Sequence, residues 1–157
     1  MSVALHRAAL VAMLQRVPDV GRVHEYERYL REEARMQELY VWAAPGGMPH
    51  VRGWYVGNCR TRRSTLGLGR VLLRHTWPIR GFLVLNDEER SSIVFDDLCE
   101  AIGAEHEADR TLGGVSTAEE LGSDTDGVQK LEAGPALFCG VLCHSALLQL
   151  ETWEYTR

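Results

Sequence analysis

The stretch from Arg70 to Ile102, RVLLRHTWPIRGFLVLNDEERSSIVFDDLCEAI, changes its hydrophobic period halfway along. Val71, Leu73, His75, Trp77 and Ile79 share one face. The other face carries Arg70, Arg74 and Arg80 around Leu72, Thr76 and Pro78. A two-residue period is that of a strand with one dry and one wet side. Phe82 to Leu85 is then continuously apolar, and Asn86-Asp87 breaks the chain. Beyond the break, Val94, Phe95, Leu98, Ala101 and Ile102 recur at helical spacing, with Asp96, Asp97 and Glu100 largely off that stripe. The stretch therefore predicts a long strand that turns into an amphipathic helix. Asp87, Glu88 and Glu89 fall at its start, where negative charge complements the helix dipole.

The rest of the chain is read around that unit. Residues 2 to 16 predict a first helix, capped by Ser2, with Val3, Leu10, Met13, Leu14 and Val17 as its apolar stripe. Pro18-Asp19 ends it, and Val20 to His24 is short and strand-like. Glu25 to Tyr40 is dense in good helix formers and predicts a second helix with an aromatic face of Tyr26, Tyr29 and Tyr40. Val41-Trp42 continues as a short strand before the loop Pro45 to Pro49. Val51 to Thr65 predicts one strand, joined through Leu66-Gly67-Leu68-Gly69 to Val71 as an antiparallel hairpin. From Gly103 the chain reads as a loop of about thirty residues, longer than loops in compact domains usually are. Thr117 to Leu121 is a single helical turn within it. Ala136 to Tyr155 predicts one long closing strand, bent around Gly140 or His144-Ser145. The order gives a single α+β domain: an antiparallel sheet of about four strands with helices on one face.

Length bounds the answer: 157 residues bury a sizeable core as one domain without disulfides or metal. The chain has no apolar run of the roughly 18 residues a membrane span needs, and His6, Arg7, Gln15 and Arg16 interrupt its start. This points to the cytoplasm. The four cysteines, Cys59, Cys99, Cys139 and Cys143, lack the spacing of a disulfide framework and are expected as free thiols.

The net charge of -5 conceals a polarised distribution. Between Leu39 and Asn86 there are no acids and seven arginines: Arg52, Arg60, Arg62, Arg63, Arg70, Arg74 and Arg80. Between Gly103 and Gly134 eight acids, among them Glu119, Glu120, Asp124 and Asp126, face only Arg110 and Lys130. The hairpin thus carries arginines on both arms, and like charges facing each other across a ladder are destabilising without something negative nearby. An acidic partner is implied. Nucleic acid is the less favoured one, because the sequence pI is about 5.7 and Trp54, Tyr55 and Trp77 read as core.

No catalytic signature emerges. In Cys139-x-x-x-Cys143-His144, strand alternation puts the cysteines on one face and the histidine on the other, poor geometry for one metal ion. His75 beside Trp77 reads as a hydrogen-bonded core histidine rather than a base for Cys59, Cys99 or Cys143. Gly67-Leu68-Gly69-Arg70 lacks the lysine and following helix of a phosphate loop and reads as a tight turn. No cofactor is called for.

The arrangement resembles the tail terminator, or tail completion, proteins of long-tailed bacteriophages, including those like minor tail protein U. The likeness is carried by the Leu10-x-x-x-Leu14 helix ending in Val17-Pro18-Asp19-Val20-Gly21-Arg22-Val23-His24, by His75-Thr76-Trp77-Pro78-Ile79-Arg80-Gly81, by the Ser91 to Ile102 helix and by the strand from His144 to Tyr155. The resemblance implies a virion structural subunit, not an enzyme, that assembles as a six-fold ring on the end of the tail tube. Such a ring stops tube growth and meets the head-to-tail connector or head-completion protein, and a sheath protein where the tail has one. DNA passes through its channel without sequence-specific binding. Assembly would take place in the host cytoplasm. The long acidic loop departs from a compact member of that family. The expected interface pairs Arg60, Arg62, Arg63, Arg70, Arg74 and Arg80 with Glu119, Glu120, Asp124 and Asp126, within one chain or on a neighbouring copy, or with acids of the tail tube; alternatively the acidic loop lines the channel. The competing class is a small α+β ligand-binding protein or enzyme.

Overall fold

The computed structural model describes residues 2–117 and 127–156. In chain order these form α1 (Ser2–Arg16), β1 (Arg22–His24), α2 (Glu33–Glu38), β2 (Val41–Trp42), β3 (His50–Val56), β4 (Arg60–Thr65) and β5 (Val71–Val84). A 3-10 turn (Asp87–Glu89), α3 (Ser91–Ala108), β6 (Gln129–Phe138) and β7 (Val141–Thr156) follow. The class is α+β, but among the described residues the sheet has seven strands rather than about four. It is mixed rather than antiparallel, because β1 runs parallel to β3.

The spine is the ladder between β5 and β7, which pairs every residue from Val71 with Thr156 to Val84 with Cys143. The alternation seen at Val71 to Ile79 continues through Leu83 without a break. On its dry side α1 and α3 pack side by side. Leu10, Met13 and Leu14 from α1 meet Trp54, Trp77, Ile79, Leu148 and Leu150 from the sheet and Phe95, Leu98 and Ile102 from α3. Trp54 stacks on Phe95 with ring centroids 5.6 Å apart, and the same indole lies against Gly81 of the neighbouring strand.

The opposite face is covered over only half its length. At that end a second cluster of Tyr40, Val51 and Cys143 takes in Phe82 and Phe138, whose rings stack at 4.4 Å. This explains why Phe82 to Val84 is apolar at every position: here both faces of the sheet are covered, whereas the Arg70 end has only one; Leu85, just beyond the strand, is exposed.

Several expectations are corrected. The helix expected over Glu25 to Tyr40 forms only at Glu33–Glu38, because Tyr26, Tyr29 and Leu30 are exposed and lend it no packing. The strand expected over Val51 to Thr65 divides into β3 and β4, which pair with successive halves of β5. The division falls where Gly57 N–H donates to the carbonyl of Pro78 (2.8 Å), a residue with no N–H of its own to return. The loop expected from Gly103 to Gly134 is shortened at both ends, since α3 runs to Ala108 and β6 begins at Gln129. β6 is an edge strand with most residues exposed and Pro135 within it, so it carries no strand-like pattern. The helical turn at Thr117 to Leu121 lies, after Thr117, outside the described residues.

The closing strand is instead a hairpin of β6 and β7. Cys139 and Gly140 both take positive φ (49° and 77°), as a two-residue hairpin turn demands. The irregularity in register falls in β6, between Lys130 and Glu132. Asp87, Glu88 and Glu89 form the 3-10 turn ahead of α3 rather than its first turn, which contains no acid. Among the described residues no helix is long and apolar enough to cross a membrane.

Candidate functional site: the arginine face of the sheet

Where α2 no longer covers it, the second face of the sheet is polar. β4 and the first half of β5 form the expected hairpin around Leu66 to Gly69, closed by Leu66 N–H to the Arg70 carbonyl (2.9 Å). All six residues of β4 are exposed. The register sets Arg62 directly opposite Arg74 and Arg60 opposite Thr76. With Gln149 and Glu151 from β7, these residues line a shallow depression of about 400 Å³.

The six arginines divide by environment. Arg74 lies 3.8 Å from Glu151, and its guanidinium sits 5.5 Å over the Trp153 ring. Arg70, at the foot of the turn, sits 4.9 Å over Tyr155. Arg80, six residues further along β5 and so ~20 Å from Arg74, donates to Ser145 Oγ (3.2 Å) and pairs with Glu132 at 3.5 Å. These three therefore have partners within the chain. Arg60, Arg62 and Arg63 form no ion pair with a described residue. Arg60 and Arg62 join Arg74 on the polar face, whereas Arg63, opposite Leu73, points to the other side. Glu119, Glu120, Asp124 and Asp126 lie outside the described residues.

The acid that the sequence reading missed is Glu151. Its signal was present: Gln149 and Glu151 alternate with Leu148, Leu150 and Thr152, so two polar side chains had to emerge on the arginine side. Thr76 Oγ1 also reaches Glu151 (3.5 Å).

Other candidate chemistry is placed as follows. Cys99 and Cys143 are buried, and burial pushes both thiols up to about 11, far from the range of an activated nucleophile. Cys139 falls in the β6–β7 turn, Cys143 enters the second cluster and His144 emerges on the opposite face of β7. There His144 Nε2 meets Ser91 Oγ at 2.8 Å. The same oxygen accepts the Asn86 N–H (2.8 Å), and Ser91 is buried at the start of α3, so this pair braces the strand-to-helix junction.

No protein-family model matches this chain, and no curated protein matches its sequence.

Proposed function

We propose that this chain is an assembly subunit of the phage tail terminator kind. In this reading it caps the end of a tail tube as a ring, stops tube growth and offers its free side to the head-to-tail connector. It is a virion protein assembled in the host cytoplasm and performs no catalysis. The observation that carries the reading is the β4–β5 arm, on which Arg60, Arg62 and Arg63 form no ion pair with a described residue. A charged arm flanked by an apolar tip, Leu66 and fully exposed Leu68, is the composition of a surface awaiting another chain. A ring joined head to tail places two different surfaces at each contact, so opposite charge fixes register. The complementary charge is assigned to Glu119, Glu120, Asp124 and Asp126 of a neighbouring copy, or to the tube.

The test is charge reversal of Arg62 and Arg63 to Glu, followed by native mass measurement and electron microscopy of assembled tubes. The variant should fold as a monomer yet fail to form rings or to cap tubes; rings of normal mass on capped tubes would sink the proposal. A second reading, an anion-binding domain, is favoured by the 400 Å³ depression, where Arg60, Arg62 and Arg74 face the single carboxylate of Glu151. A persistent monomer that binds small anions in equilibrium dialysis would select it.

A further inference from the structure

On the helix-covered face, His6 of α1, His75 of β5 and Glu154 of β7 converge. The β5–β7 register pairs Leu73 with Glu154 and His75 with Thr152, which makes His75 and Glu154 diagonal neighbours on one face. α1 crosses that end of the sheet and lowers His6 onto them. His6 Nε2 lies 3.1 Å from Glu154 Oε2, and His75 Nε2 lies 3.8 Å from Glu154 Oε1. The imidazoles meet edge to face with centroids 5.0 Å apart. One donor atom from each residue falls within 4.8 Å of the other two. Both histidine side chains are 1% exposed and that of Glu154 is 15% exposed.

A hydrogen-bonded core histidine accounts for only part of this. The contact of His75 Nδ1 with Thr61 Oγ1 (2.8 Å) is such a bond. Yet His75 Nε2, His6 Nδ1 and Glu154 Oε1 are all buried without a hydrogen-bond partner among the described residues. Leaving such groups unpaired is costly, and a carboxylate between two imidazoles in a nearly dry site calls for a cation.

We propose that His6, His75 and Glu154 bind one divalent transition-metal ion of the zinc class, which ties α1 to the two central strands. Two imidazole nitrogens and a carboxylate oxygen are a donor set that zinc accepts. Metal bonds of about 2.1 Å in tetrahedral geometry set donors ~3.4 Å apart; His6 Nε2 lies 3.1 Å from one Glu154 oxygen and His75 Nε2 3.8 Å from the other, and with one donor atom per residue the set spans up to 4.8 Å, so the three side chains draw together by small rotations when the ion binds. The 2.8 Å contact between His75 Nδ1 and Thr61 Oγ1 fixes the ring with Nε2 facing Glu154; in the tautomer protonated on Nδ1, Thr61 Oγ1 accepts that hydrogen bond and the Nε2 lone pair is free to ligate. A fourth position is left for water on the side where Glu154 reaches solvent.

The experiment uses the untagged full chain stripped with EDTA. It is titrated with zinc chloride in a calorimeter and, separately, with cobalt(II) chloride followed by visible absorption. One equivalent of zinc should bind, cobalt should give the visible bands of a four-coordinate nitrogen and oxygen site, and Tm should rise by about 5–10 °C at zinc one hundredfold above Kd. Glu154→Gln, which keeps the side chain's shape, should fold and lose zinc binding. Thr61→Val, on the exposed strand β4, should fold and bind about tenfold more weakly, because only the orientation of His75 is relaxed. A Tm indifferent to zinc, or zinc affinity equal to wild type in both Glu154→Gln and Thr61→Val, overturns the proposal. If Glu154→Gln does not fold, the affinity of Thr61→Val decides alone.

Discussion

Arg62 and Arg74 face each other directly across the β4–β5 ladder, and the compensating charge, Glu151, sits 3.8 Å from Arg74 on the far side of β5. The hairpin therefore folds with a like-charge pair at its centre, relieved on one arm only. Like charges in this position oppose pairing, and opposite charges favour it by roughly 0.2–1 kcal/mol. Arg62→Glu should consequently raise the stability of the isolated subunit by about 0.5 kcal/mol, read from urea unfolding, while weakening assembly. A variant both less stable and fully assembled would contradict this account.

Gly81 is fixed by Trp54. A Cβ at residue 81 would lie 2.3 Å from the indole Cε3, and the ring cannot retreat because Phe95 is stacked on its other side. Gly81→Ala should cost about 3 kcal/mol, a fall in Tm of ~6–12 °C. Differential scanning calorimetry checks this, and a loss under about 2 °C would mean that the two aromatic rings move as a unit.

Thiol reactivity should separate the four cysteines into two pairs. Cys59 and Cys139 are half-exposed, whereas Cys99 and Cys143 are buried with thiols pushed up to about 11. At pH 8 a colorimetric disulfide reagent should titrate about two thiols rapidly in the folded chain and all of them in guanidinium. Rapid labelling of Cys143, located by peptide mapping, would show that the cluster beneath Tyr40 opens readily.

His24 gives the fold a dependence on pH. Its Nε2 lies 2.7 Å from the Leu39 carbonyl and its ring packs 4.8 Å from Tyr40, joining β1 to the segment that leads into β2. Burial lowers its pKa below 6.5, the Leu39 carbonyl opposes this, and the charges of Arg28 and Arg22 add to the lowering. Below 6.5 the unfolded chain binds a proton that the folded chain refuses, so this contribution is complete above that pH. It is lost progressively as pH falls towards the folded pKa, with a slope of at most about 1.4 kcal/mol per pH unit. His24→Gln, which can still donate to Leu39, should flatten the decline in stability between pH 7 and 5. Parallel profiles for variant and wild type would refute the assignment.

The parts legible in the sequence are those whose burial is one-sided and local. Leu10, Met13 and Leu14 mark α1, and the alternation through Trp77 marks β5, because each period reports a single buried face. The opposition of Arg62 and Arg74 also follows from the turn at Leu66 to Gly69, since a hairpin's turn fixes its register. β6 was illegible because an exposed edge imposes no hydrophobic pattern, and the helix expected over Glu25 to Tyr40 failed because propensity without packing does not hold one. The grouping of His6, His75 and Glu154 had no local signal. Those residues meet only once α1 is laid across the paired strands, a fact of tertiary geometry that spacing along the chain does not encode.

The β5–β7 ladder has a consequence for the order in which the molecule acquires its shape. Val84 must wait for Cys143, and Val71 for Thr156, so the central strand leaves the ribosome well before the one that completes it. Until β7 arrives, β5 presents an open edge of fourteen residues with Trp77 and Ile79 uncovered by their eventual neighbours. Such distant pairing makes for slow folding, and the interval is one in which the nascent chain is most exposed to pairing with the wrong strand. The arginines that punctuate this edge, Arg74 and Arg80, are well placed to repel a second copy of the same strand during that wait.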